Sequence, residues 1–402
     1  MESDVKRIFE QELTRKSVFK DRNLINPHYI PKVLPFRESQ IQVIGSMLAV
    51  TISGKKPNNI FIYGTTGSGK TSVTKHVLNE LINFAKEKNA KIDGVYVNCR
   101  NHNSKYRTII KIVKEFYPEQ NFLGFSAGFI YDKLLDYANT GKQVILVLDE
   151  IDKIKDIDEL VYSLVRANDE IDKGSISLIG ISNNLMFKDK LDKRSKSSLC
   201  QHEMVFSPYN ADELREILAQ RIELAFNENV VTDSALNLAA AYAAKESGDA
   251  RTAIMLLLKA GELSDRKNIN QVTDLEVERA RKKVEEEITF NMISSLPKQQ
   301  QLVLYTIACL TVDKKGTRKI GSEYETVLFS GEIYDEYTLV AHKLDENVVS
   351  SRWYREYISE LEMYGLIITT ASGKGIRGST RLIKLGFDAK KIKSALETEL
   401  SN

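Results

Sequence analysis

Cysteine and histidine are scarce in this sequence. Its 402 residues hold three cysteines, Cys99, Cys200 and Cys309, and five histidines, His28, His76, His102, His202 and His342, all scattered. No CxxC occurs and no histidines pair at metal-ligand spacing, which excludes a disulfide framework and a zinc site. Such usage fits a reducing intracellular compartment. Also missing is any run of ~18 uncharged apolar residues, so nothing reads as a membrane span. The start, MESDVKRIFEQELTRK, is charged throughout and does not fit a signal peptide. Neither charge is in excess: Lys+Arg 57 against Asp+Glu 55 leaves +2. A nucleic-acid surface must therefore come from a local patch. At 42% hydrophobic and 28% charged the chain is an ordinary globular one. Its length suggests two or three domains at ~150 residues each. These features together predict a cytosolic multidomain protein.

What is present is strongly patterned. Residues 1–35 read as an amphipathic arm followed by an approach punctuated by Pro27, Pro31 and Pro35. Four apolar runs then alternate with helical patterns: 59–64, 94–99, 143–149 and 175–182. Near-continuous apolar strands separated by helices predict a parallel sheet covered on both faces. Past Pro208 the strands stop. Asn210 with Glu213, and Thr273 with Glu276, are capping boxes, and Asp249 can cap the helix after Gly248. The charged run 278–287 reads as a solvated helix. Pro297, suited to a helix N1 position, opens another helical stretch. Two more helical patterns and two β-like stretches, 366–370 and 380–385, complete a winged-helix order.

Gly64-Thr65-Thr66-Gly67-Ser68-Gly69-Lys70-Thr71 matches the P-loop pattern between a predicted strand and a predicted helix. Glycines let backbone N–H groups curl around phosphate oxygens at a helix N-terminus. Lys70 would neutralise phosphate charge, and the Thr71 hydroxyl would ligand Mg²⁺. Asp149-Glu150 closes the strand at 143–149, on the edge where α/β proteins bind ligands. There Asp149 would hold Mg²⁺ and Glu150 would orient the attacking water. Asn183 tips the next strand. Arg251, opening a helix after Asp249, is placed to reach back over a nucleotide.

In this order, phosphate loop, acidic pair, strand-tip Asn and lid Arg resemble an AAA+ ATPase. More narrowly, Leu34-Pro35-Phe36-Arg37-Glu38-Ser39-Gln40, Ile181-Ser182-Asn183-Asn184, residues 191–199, Phe206-Ser207-Pro208-Tyr209 and Gly248-Asp249-Ala250-Arg251 resemble the archaeal origin-recognition initiators. Those are relatives of the eukaryotic origin recognition complex subunits and their cell-division-cycle partner. The resemblance implies an α/β fold: an arm (1–24), an AAA+ parallel-sheet core (25–207), an all-helical lid (208–290) and a C-terminal winged helix (291–402). It implies ATP/ADP and Mg²⁺ as cofactors, with slow, switch-like hydrolysis. Thr66 to Thr71 and Tyr209 become nucleotide contacts, and Pro35 to Arg37 lie near the adenine. Asn183 becomes the first sensor and Arg251 the second. Arg194, or its neighbour Lys196, reaches a neighbouring subunit's nucleotide. The segment around Gly124-Phe125-Ser126 resembles an insertion pressed into the DNA minor groove, and reads equally as a core helix. Phe36, where the family often has His, and Lys193-Arg194-Ser195, where it often has Pro-Arg-Val, depart from the pattern.

In the C-terminal region, Ser350 or Ser351 can cap a helix carrying Arg352 and Arg355 off its apolar stripe, where recognition helices face a major groove. The loop 373–381, with Lys374, Gly375, Arg377 and Arg381 and no acid, reads as a wing that grips phosphates. The implied partners are duplex origin DNA, an MCM-type replicative helicase and other initiator paralogues, with no membrane and a cytoplasmic, nucleoid-associated location. Two alternatives stay open: a DNA-binding regulator that loads no helicase, and a remodeller or clamp-loader-like ATPase whose C-terminal domain grips protein.

Overall fold

A computed structural model describes residues 16–122, 124–313, 317–320, 323–371 and 381–400. The chain divides into two compact units, one ending at Arg281 and one beginning at Lys282.

In the first unit, α1 (Glu38–Leu48) precedes β1 (Ile60–Gly64), α2 (Lys70–Glu87), β2 (Ile92–Asn98), α3 (Lys105–Phe116), α4 (Ala127–Asn139), β3 (Gln143–Asp149), α5 (Ile157–Glu170), β4 (Ser175–Ser182), α6 (Lys193–Leu199) and β5 (His202–Phe206). The strands form one parallel sheet ordered β2-β3-β4-β1-β5. Every residue of β3 and β4 is buried, as expected of parallel strands covered on both faces. Their alternation divides the core in two. Val144, Leu146 and Leu148 pack with α3, α4 and α5 through Ile112, Leu134 and Leu164. Ile145 and Val147 face the opposite side, with Ile44 of α1 and Val73 and Val77 of α2. Strand β5 was not anticipated. It is an edge strand buried only at Met204 and Phe206, and its apolar stretch, Met204-Val205-Phe206, is short.

Because β4 lies between β1 and β3, its tip stands between the phosphate loop and the acidic pair. The register pairs Tyr63 with Ser182 and Ile181 with Asp149.

The helices that follow are α7 (Ala211–Ala225), α8 (Asp233–Glu246), α9 (Ala250–Arg266) and α10 (Asp274–Ser295). The Asn210–Glu213 capping box forms in both directions. Asp249 caps α9 by accepting from the Arg251 amide at 2.7 Å. At Thr273 only one half of a box forms: its amide donates to Glu276 Oε2 at 3.4 Å, and its hydroxyl donates to the same oxygen at 2.6 Å. Helix α10 is less solvated than its charge suggests, since Val277, Ala280 and Val284 are buried along one stripe.

The second unit holds α11 (Lys298–Val312), β6 (Thr317–Ile320), β7 (Glu323–Thr326), β8 (Leu328–Phe329), α12 (Ser330–Lys343), α13 (Ser351–Met363), β9 (Ile367–Ala371), β10 (Arg381–Leu385) and α14 (Ala389–Leu400). Pro297 stands just outside α11, because its ψ of 144° is extended although its φ of −55° suits a helix. Strands β8, β10 and β9 form an antiparallel sheet, and β6 pairs with β7. Leu302, Tyr337, Tyr354, Ile358, Leu361 and Ile383 share one core. Helices followed by a β-ribbon make this unit a winged helix. Neither the β6–β7 hairpin nor α14 was expected.

Candidate functional site

The phosphate loop leaves β1 and enters α2, whose N-cap, Gly69, has φ +92° and supplies no side-chain cap. The first amides of that helix are left for an anion. A Cβ on Gly69 would lie 2.8 Å from the Tyr209 hydroxyl, and one on Gly67 would overlap the Asp249 carboxylate. Both positions need glycine for left-handed backbone and for close approach. Lys70 is 4% exposed. Its Nζ donates to the carbonyls of Gly64 and Thr65 at 2.9 and 2.7 Å. Burial lowers its pKa to about 8, against the pull of Asp149.

Asp149, 5% exposed, accepts from the Thr71 hydroxyl and from the Tyr96 hydroxyl, both at 2.7 Å on Oδ2. Its Oδ1 takes the Glu150 amide at 2.9 Å. Burial, then the charge of Asp149, pushes the Tyr96 phenol upward, so it stays a donor. Glu150 sits at φ +53°, and its carboxylate lies 4.0 Å from the Arg100 Nε. Tyr96 is a site residue that motif reading missed. Its signal was weak, an aromatic two residues before the end of an apolar strand.

These groups open on a cavity of about 520 Å³, a size that suits a small ligand. Pro35, Gly67, Gly69, Lys70, Thr71, Asp149, Glu150, Asn183, Tyr209 and Arg251 line it, together with Tyr96 and Arg221. It is lined also by Pro27, His28, Tyr29, Ile30, Pro31 and Leu34, and by Ile217 and Ile254. Thr66, Ser68 and Arg37, expected at this chain's own nucleotide, do not line it. Thr66 is exposed on the loop and Ser68 is buried beneath it; Arg194, expected at a neighbouring subunit's nucleotide instead, is exposed on α6. Lys196 is held by Asp189 at 2.9 Å.

Arg37 departs most from expectation. It is 4% exposed and lies behind the loop. Nε donates to the Ser68 carbonyl at 2.9 Å, Nη2 to Ser207 at 2.7 Å and Nη1 to Phe36 at 2.8 Å. Its guanidinium stacks 3.8 Å from the Tyr209 ring centroid. Phe36, at φ +61°, makes the turn that sends Arg37 inward. Arg37 thus ties the phosphate loop to the strand-to-lid junction and leaves the cavity wall to Pro35.

In the second unit, Arg352, Arg355 and Arg381 line one open groove of about 850 Å³ with Ser351 and Ser359. All three arginines are exposed. Arg381 donates to the Ser359 hydroxyl at 3.1 Å. Ser350 is the N-cap of α13, without a side-chain capping bond. Lys374, Gly375 and Arg377 lie outside the described residues. Around Gly124 the core-helix expectation holds for one face of α4, and two aromatic rings stand exposed beside it. Ile130 and Leu134 of α4 are in the core, whereas Phe125 and Phe129 are exposed and stacked at 4.7 Å.

A strand inserted between the phosphate-loop strand and the acid-bearing strand, with a helical lid beyond, is the architecture of an AAA+ ATPase, and this chain is one. Family models match it region by region: an AAA domain over 53–185, a Cdc6 AAA+ ATPase-type lid domain over 215–282 and a CDC6 C-terminal winged helix domain over 291–395. Over 394 residues it is 38% identical to an ORC1-type DNA replication protein of Thermococcus onnurineus, covering 96% of this chain and 92% of that one. A counterpart from Sulfurisphaera tokodaii is 38% identical over 387 residues, covering 96% and 94%. The chain belongs to the ORC1-type DNA replication proteins. Among solved structures it resembles Aeropyrum pernix Orc1 in complex with DNA, with a TM-score of 0.79 and 34% identity over 95% of this chain and 97% of that one. Cdc6p from Pyrobaculum aerophilum shares the fold, with a TM-score of 0.59 at 20% identity over 96% and 99%. Among the described residues no helix is long and apolar enough to cross a membrane.

Proposed function

We propose that this chain is an ATP-switched initiator that binds duplex origin DNA and governs loading of a replicative helicase. One observation carries the reading. The polypeptide that holds the phosphate-loop cavity also presents three exposed arginines on one groove of a winged helix, and its relative from Aeropyrum pernix was solved with DNA.

The cavity fits a magnesium nucleotide. The uncapped N-terminus of α2 and the Lys70 cation suit phosphate. Thr71 and Asp149 supply paired oxygens of the kind Mg²⁺ accepts. When bound, the metal would neutralise phosphate charge and polarise the bond to be broken. The chain does the rest. Glu150 accepts a hydrogen bond from the attacking water and orients it, Asn183 holds the same region from the tip of β4, and Arg251 meets the phosphates from the lid. Arg194 or Lys196 would serve a neighbouring subunit. Hydrolysis is slow, and its product state differs from the ATP state in assembly.

On DNA, Arg352 and Arg355 face the major groove, where guanidinium groups suit guanine edges. The wing, with Arg381, Arg377, Lys374 and Gly375, grips backbone phosphates. Phe125 and Phe129 form an apolar wedge for the minor groove. Retention of an MCM-type helicase on immobilised duplex tests the reading. ATP-dependent retention by the wild-type chain is expected. Tight duplex binding with no helicase retained in either nucleotide state would leave a regulator and overturn the initiator.

A further inference from the structure

The cavity is lined in one part by the phosphate loop and in another by the mainly apolar Pro27, His28, Tyr29, Ile30, Pro31 and Leu34. Nothing regular shapes that apolar wall. Between the short turn at Arg22–Ile25 and α1 the chain has neither helix nor strand, and its own bonds are local turns such as Asn26 N–H to Asn23 and Tyr29 N–H to Asn26. Besides the burial of Ile25 and the packing of Leu34, ties from outside help set its position.

Arg221 of α7 provides one that reaches the backbone on both sides of residues 25–28. It is 5% exposed. Nη1 donates to the Leu24 carbonyl at 2.9 Å and Nη2 to the Tyr29 carbonyl at 2.7 Å, and the guanidinium lies 4.9 Å from the Tyr29 ring centroid. Burial opposes its charge, so the two carbonyls and the ring are what make the site tolerable. The rigid fork of a guanidinium holds two carbonyls five residues apart at fixed geometry, whereas an ammonium on a flexible stem offers donors from a single point.

We propose that Arg221 is a positioning residue for the nucleoside end of the site: by fixing the backbone of residues 24–29 it sets affinity for the base and sugar and leaves phosphate affinity unchanged. The inference rests on the reading that the cavity takes a nucleotide. Arg221 makes no bond to the phosphate loop, whereas Arg37 bonds to the loop and to no residue of that wall.

The test is titration calorimetry of the full chain with ATP and, separately, with inorganic tripolyphosphate, which offers only the phosphate end. Arg221→Lys keeps the stem and the charge. It should weaken ATP binding about tenfold through lost pre-organisation and leave tripolyphosphate affinity at the wild-type value. Hydrogen exchange should quicken at the amides of residues 24–30 in that variant, and not in α2. Equal ATP affinity in the variant, equal loss for both ligands, or unchanged exchange would each overturn the proposal. Binding of neither ligand by the wild-type chain would instead overturn the nucleotide reading beneath it.

Discussion

The two units use their cations in opposite ways. In the first, Lys70, Arg37 and Arg221 are each at most 5% exposed, and their donors are engaged with the protein's own carbonyls. In the second, Arg352, Arg355 and Arg381 are exposed around an open groove. A buried guanidinium whose donors all bond backbone shapes the molecule, because removing it strands carbonyls in a dry site. An exposed one has lost little solvation and costs little to keep, so its donors remain for an anion. Lys70 joins both kinds: it is buried, yet it stands on the wall of a cavity.

The largest effect should come from Lys70. Lys70→Ala is expected to weaken ATP binding about 100-fold, the loss of one buried charge-assisted contact. Isothermal titration checks it, and unchanged affinity would break the assignment of the phosphate end. Next comes Arg37. Arg37→Ala removes three bonds to carbonyls and should destabilise the first unit by about 3 kcal/mol in a urea titration. Arg352→Ala should leave that stability unchanged. A similar cost for both would erase the contrast between buried and exposed cations.

Proton linkage sharpens the same comparison more gently. Lys70, lowered to about 8 by burial, loses its charge as pH rises through that value, so ATP affinity should fall between about pH 7 and 9. Stability runs the other way. Above pH 8 and up to the ordinary lysine value the unfolded chain binds more protons at this side chain, so its contribution to stability rises with pH. Arginine does not titrate in this window. Duplex affinity should therefore stay level where ATP affinity declines, and parallel anisotropy and calorimetric titrations would show it.

The phosphate end was legible in the sequence because its signal is local. A strand, a glycine pattern and a helix lie within residues 60–87, and the acidic pair closes a strand whose residues 144–148 are all apolar. Beyond Pro35, the cavity wall at residues 27–34 and its tie were not legible. Arg221 meets Leu24 and Tyr29 across nearly 200 positions, a separation no spacing rule reaches. Arg37 was visible as part of a motif, but its inward turn depends on the left-handed Phe36. Strand β5 escaped because an edge needs only alternate burial. The β6–β7 hairpin escaped because Thr-Arg-Lys-Ile and Glu-Tyr-Glu-Thr carry little apolar pattern.

The most direct test of the division between buried and exposed cations is the salt dependence of duplex binding, measured for the wild-type chain and for Arg352→Ala/Arg355→Ala. If these arginines meet DNA phosphates or bases, the double variant should bind more weakly and its slope of log affinity against log salt should shrink by up to ~2. An unchanged slope and affinity would contradict the account, and the groove on α13 would no longer be a DNA surface.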